Sequence, residues 1–152
     1  MRVVIAFVVS VVVAYMLAVL MYTQLNLANV VELGLSVSLG VRVESAFHDL
    51  VGMVTLYLPI ISVAFLIAFG LTRLALNWVP QLRTLGYVLA GFLAIFTVDF
   101  ALGTILASGT HPLPVTRTTV GLLSQCVAGA IGGYVFVSML TDGSPSYLKL
   151  AS

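Results

Sequence analysis

Long apolar stretches recur along the chain, and the polar positions gather in the segments between them. The stretches are "VVIAFVVSVVVAYMLAVLMYT" (3–23), "LVGMVTLYLPIISVAFLIAFGL" (50–71), "LGYVLAGFLAIFTVDFALGTILA" (85–107) and "TVGLLSQCVAGAIGGYVFVSML" (119–140). Each holds about 20 residues, the length at which a helix rising ~1.5 Å per residue crosses a ~30 Å hydrocarbon core. A water-facing helix would show a charged face, yet Asp99 is the one charged residue in all four runs. The pattern predicts an all-α membrane protein: a four-transmembrane-helix antiparallel bundle, with 1–152 forming a single integral membrane domain. The first run follows a single arginine, exceeds the ~7–15 residues of a signal-peptide core and lacks a clear A-x-A cleavage site. It reads as a retained helix.

The connections differ in kind. "TRLALNWVPQLRT" (72–84) is short, with Trp78 suited to the headgroup region and Pro80 as a breaker. "SGTHPLPVTRT" (108–118) is a breaker cluster, and "TDGSPSYLKLAS" (141–152) is turn-rich. The first connection, 24–48, is too long for a turn and too apolar for a free loop. "LNLANVVELGL" can extend the first helix, while "LSVSLGVRV" alternates with the period of a strand. A lone strand has no partner here. The favoured reading is a broken amphipathic helix bent at Gly34 and Gly40, an apolar outer segment between helices 1 and 2 that forms a cap or a partner surface. Ser45 reads as an N-cap placing His48 and Asp49 in a first turn. Pro59, in "LYLPII", reads as a mid-helix kink of the second span. The halves of the chain share no repeat of the kind that builds inverted-repeat transporters.

Composition narrows the class. Of 152 residues 61% are hydrophobic and 7% charged, against about 25% charged in a soluble domain; such a surface belongs in a lipid bilayer. A net charge of +1 without a basic stripe excludes a nucleic-acid partner. Cys126 stands alone, so no intrachain disulfide forms. With an even number of spans, Arg2, Arg73, Arg83 and Lys149 fall on one side; Arg42 and Arg117 fall on the other with Glu32, Glu44, Asp49, His48 and His111. The bias predicts a multi-pass inner-membrane protein with both termini cytoplasmic.

Few polar residues lie inside the spans. Counted inward from the outer ends, Tyr15, Tyr57, Asp99 and Gln125 all sit roughly 12 Å deep. Each span thus contributes a hydrogen-bonding side chain to one polar layer. Asp99 shares a helical stripe with Gly91, Ile95 and Gly103, which puts its carboxyl inside the bundle, hydrogen-bonded. An intramembrane carboxyl is costly, roughly 2.5–3.5 kcal/mol at the bilayer centre on insertion scales. The layer is either a structural network or an outward-opening pocket with a proton-binding carboxyl. In the fourth span Gly121, Gln125, Gly129 and Gly133 are spaced by four, with Ala128 and Gly132 beside them. This small-residue stripe suits close backbone packing, within the chain or against a second copy.

His48, Asp49, His111 and Arg117 form the outer surface of this topology. His48, Asp49 and His111, with Glu44, hold enough donors for a metal, but no spacing motif demands one, and no metal or cofactor is expected. No hydrolase elbow, phosphate loop or nucleotide fingerprint is present, so no catalytic residue is assigned. The leading expectation is a non-enzymatic membrane module that associates with itself, as a homo-oligomer, or with another membrane protein. The first alternative is a small-solute, ion or proton pathway built on the layer around Asp99; the second is a small membrane enzyme or redox carrier.

Overall fold

The computed structural model describes residues 1–32, 34, 36–78, 80–105 and 119–141, and among them every regular element is helical. The helices are α1 (Arg2–Glu32), α2 (Leu39–Met53), α3 (Tyr57–Ala75), α4 (Arg83–Ile105) and α5 (Thr119–Thr141), with a 3₁₀ turn over Pro80–Leu82 before α4. Four of them, α1, α3, α4 and α5, are long and apolar enough to cross a membrane. The chain is therefore built as a small multi-pass membrane protein, an all-helical bundle. Valine-rich α1 would be a poor helix in water. In hydrocarbon every backbone N–H and C=O must find its partner within the segment, so an apolar run becomes helical whatever its propensity.

The first connection is helical. α1 continues to Glu32, and the chain turns at Gly34, which has φ +85° and donates its N–H to the Val31 carbonyl at 2.9 Å. Only glycine enters that left-handed region without steric cost. α2 then starts beyond Ser38, whose hydroxyl accepts from the Val41 N–H at 3.4 Å. Two expectations change here. Ser38, not Ser45, is the N-cap, so His48 and Asp49 fall in the second half of α2 rather than in its first turn. Gly40 marks no bend, because it lies in the first turn of α2. Residues 36–38 form no strand.

The run 50–71 is divided, contrary to the single kinked helix expected. α2 ends at Met53, a turn in which the Leu56 N–H reaches the Met53 carbonyl follows, and α3 begins at Tyr57. Proline has no N–H, and its ring collides with the carbonyl four residues earlier. Breaking the helix before Tyr57 makes Pro59 the third residue of α3, where no N–H has an intrahelical partner anyway. α3 then runs on to Ala75, four residues past the end of the apolar run.

α5 is the central element, packed against α1 on one side and α4 on the other. Its glycines set the spacing. A Cβ on Gly129 would run into the Gly91 carbonyl of α4, one on Gly91 into the Gly129 carbonyl, and one on Gly133 into the Tyr87 carbonyl. Gly132 faces the other way, where an added Cβ would lie 2.8 Å from Ala14 Cβ and 3.0 Å from the Ser10 carbonyl of α1. Ala14 and Ala18 of α1 are fully buried. Small residues on facing helices replace the hydrophobic drive that lipid cannot supply with close van der Waals contact. At the end of the bundle holding the α3–α4 connection, Phe7, Phe69, Tyr87 and Phe136 form an aromatic cluster, with Phe69 stacked on Phe136 at 4.6 Å between centroids. The start of α1 and the last turn of α5 meet at this same end, where Val3 and Leu140 line one cavity with Arg73 and Arg83. The start of α1 and the end of α5 thus share one end of the bundle.

Candidate functional site

The buried polar layer is built by one helix face at a time. On α1, Tyr15 lies one turn from Val19 and two from Thr23, and all three are buried. On α3, breaking the helix before Tyr57 places that ring inside the bundle, at 6.4 Å from the Tyr15 ring centroid. Asp99 of α4 follows Ile95 by one turn, and Gln125 of α5 precedes Gly129 by one turn, so the glycine seam aims both side chains at Tyr57. The Tyr57 hydroxyl lies 3.3 Å from Asp99 Oδ1 and 3.5 Å from Gln125 Oε1. Gln125 Nε2 donates to the Ala18 carbonyl of α1 at 3.0 Å. Asp99 is 2% exposed, and its Oδ2 has no hydrogen-bond partner among the described residues.

The donor count is unequal. One Tyr57 hydrogen faces Asp99 Oδ1 and Gln125 Oε1 and can serve only one at a time, while Asp99 Oδ2 is served by nothing described. The layer is rich in acceptors, and a single proton or small cation would balance it.

Of the four residues expected at one level, Tyr57, Asp99 and Gln125 thus share hydrogen-bonding distance. Tyr15 stands beside them but turns its hydroxyl elsewhere, donating to the Leu50 carbonyl at 2.6 Å. That carbonyl lies in the last turn of α2, where no further helix turn follows to satisfy it. Tyr15 therefore caps the break between α2 and α3.

Two contacts escaped the sequence reading. Thr23 donates to Asp49 Oδ2 at 2.7 Å, tying α1 to α2, and Arg42 donates to Gln24 Oε1 at 3.0 Å higher on the same pair. The signal for Thr23 was its place two turns beyond Tyr15 on one face of α1. His48 is exposed, and Asp49 is partly buried by its contact with Thr23. His111 and Arg117 lie outside the described residues, among which no three His, Cys, Asp or Glu side chains gather. Gly121 is buried at the start of α5, while Gly129 and Gly133 face α4 within the chain.

The third feature lies outside the core. Leu39, Val43, Phe47 and Val51 of α2 recur every four residues and are 81%, 71%, 70% and 59% exposed. They form one apolar stripe facing away from α1. Against this geometry, no protein family, no curated protein and no solved structure matches the chain.

Proposed function

We propose that this protein is a non-enzymatic membrane module that docks, to a second copy or to another membrane protein, through the apolar stripe of α2. The exposed series Leu39, Val43, Phe47 and Val51 carries the reading. α1 holds 31 residues, which is about 46 Å of helix against a ~30 Å hydrocarbon core. Its last turns and the start of α2, tied together by Arg42 and Gln24, extend past the core. Apolar side chains left bare at that level mark an interaction surface. The glycines of α5 do not compete for this role, since α4 already occupies the seam. In the proposed topology the protein sits in an inner membrane with both termini cytoplasmic and the α1–α2 hairpin on the opposite side.

A cysteine at Phe47 tests the reading. Crosslinking in native membranes should give one discrete adduct, with itself or with one other membrane protein, and Val43→Asp should abolish it. Loss of every protein adduct in favour of lipid alone would sink the docking role. Reporter fusions at Ala151 and Gln81 should report cytoplasm, and one at Gly109 the other side; an outside signal at Gln81 reverses the topology.

The acceptor excess around Asp99 favours a second reading, a proton or ion pathway. Asp99→Asn keeps an oxygen for the Tyr57 hydroxyl but cannot ionise. On this reading the variant folds normally and loses pH-dependent flux in liposomes. Flux equal to that of the parent chain removes the pathway.

A further inference from the structure

We propose that the bundle binds an anionic glycerophospholipid at its α3–α4 end, with acyl chain in an interhelical cavity and phosphate on Arg73 and Arg83. The cavity measures about 840 Å³ and opens between α1, α3, α4 and α5. Its walls are Phe7, Leu66, Phe69, Phe136 and Leu140, a surface that suits hydrocarbon. Its polar side chains gather where α3 passes into α4: Arg73 in the last turn of α3, Asn77 in the connection, Arg83 at the first residue of α4. An amphiphile with one charged end and a long apolar body matches that division.

The charge at the rim is uncompensated among the described residues. Neither Arg73 nor Arg83 has a carboxylate or hydrogen-bond partner there. Glu32, Glu44 and Asp49 belong to the far ends of α1 and α2, and Asp99 is buried in the polar layer. Asp142, one residue beyond α5, lies outside the described residues, and even against it two guanidiniums leave a positive excess. Guanidinium forks match phosphate oxygens bidentately, and basic pockets between membrane helices hold lipid headgroups in this manner. Trp78, 88% exposed in the same connection, fits the headgroup level. A second groove, about 810 Å³ between α3 and α4, makes the contrast: its lining holds Thr72 and Thr97 but no charge, so it offers a phosphate nothing.

Gly70 supplies an independent handle. It lines the charged cavity, and a Cβ built on it meets nothing within 4 Å. A larger side chain there enters the cavity, not the bundle.

The test uses the full chain in a neutral detergent, with retained lipid counted by native mass spectrometry against dioleoyl phosphatidylglycerol and dioleoyl phosphatidylcholine. The parent chain should retain the anionic lipid roughly thirtyfold better, the scale that two basic side chains near an anionic headgroup supply. Arg73→Gln with Arg83→Gln should erase the preference, and each single variant should halve it on a logarithmic scale. Gly70→Leu, checked for unchanged helical content, should lower retention of both lipids. Equal retention of the two lipids by the parent chain overturns the proposal, as does a preference that survives the double substitution. Unchanged retention in folded Gly70→Leu removes the acyl chain from the cavity and overturns it too. Displacement of the lipid by equimolar glycerol phosphate would mark a soluble-phosphate site instead.

Discussion

α5 and α3 both carry a run apolar enough to cross a bilayer, yet 50% of that run in α5 is buried inside the protein against 17% in α3. The difference lies in which residues face the neighbours. α5 meets α4 and α1 through Gly129, Gly132 and Gly133, so that backbone touches backbone. α3 meets the rest through large side chains, with Ile61, Phe65 and Phe69 buried and Val63, Leu66, Ile67 and Leu71 open to the surroundings. In water such a helix would be driven inward. In lipid the tails cover it as well as protein does, so helix position is decided by close fit and hydrogen bonds, not by apolar content. The binding features follow the same division. Both cavities border α3, whereas α5 lines just the charged one, through Phe136 and Leu140 near its end, and gives Gln125 to the polar layer and its glycines to the seam.

The largest expected effect breaks the tight half of that comparison. Gly129→Leu sets a branched side chain against the Gly91 carbonyl and Ile95. The obstacle is backbone, which no rotamer change relieves, so α4 and α5 must separate. The cost should be about 3 kcal/mol, the upper range for overpacking. Unfolding in graded denaturing detergent measures it. Because Gly91 of the same chain fills the seam, the parent chain's assembly size should not depend on Gly129→Ala beyond what its loss of stability explains. A wholly intact fold with altered oligomer size would move the stripe to an intermolecular interface.

A smaller effect sharpens the part played by the polar layer. Gln125→Leu removes the bond to the Ala18 carbonyl, which joins α5 to α1, and leaves the Tyr57 hydroxyl to Asp99 alone. Intramembrane hydrogen bonds average about 0.6 kcal/mol and reach about 1.7, so a loss of about 1 kcal/mol is expected. Tyr15→Phe should cost a similar ~1 kcal/mol by orphaning the Leu50 carbonyl at the α2–α3 break. The two losses should add, because the hydrogen bonds removed end on different groups, the Leu50 carbonyl for Tyr15 and the Ala18 carbonyl and Tyr57 hydroxyl for Gln125, and Tyr15→Phe keeps the ring beside Tyr57. Coupling beyond about 0.5 kcal/mol between them would show one continuous network in place of a layer and a separate cap.

Much of the architecture could be read from run length, because hydrocarbon leaves a chain few choices of backbone structure. The level shared by Tyr57, Asp99 and Gln125 followed from counting residues inward. What could not be read depends on helix rotation and on backbone partners. Nothing in the letters says that Tyr15 turns to the Leu50 carbonyl, or Gln125 to that of Ala18. Pro59 signals an interruption, but a kink and a full break share one sequence signature; the cap that makes a break affordable sits on another helix. Ser38 and Ser45 are equally good caps by chemistry, and Gly34 decides between them by ending α1 early enough for α2 to begin. The spacing of Gly129 and Gly133 announced close packing, yet one's own α4 and another copy present the same chemistry to it.

The smallest effect tests the open half, with a change of opposite sign. Gly70 of α3 is exposed, and nothing lies within 4 Å of a Cβ placed there. Gly70→Ala therefore adds no clash. It removes the backbone freedom that glycine loses on forming a helix, a gain of roughly 0.5–1 kcal/mol where the site tolerates it. Inside a bilayer the unfolded reference is itself helical, which reduces that gain, so a few tenths of a kcal/mol of stabilisation is expected. The paired substitution Gly133→Ala, at a site where the added methyl meets the Tyr87 carbonyl, should destabilise under the same assay. One chemical change thus gives two signs, set by whether the helix faces backbone or open space. If Gly70→Ala destabilised the bundle as Gly133→Ala does, α3 would be packed against a surface that the single chain does not contain, and the comparison between the two helices would have to be redrawn around a second copy seated on α3.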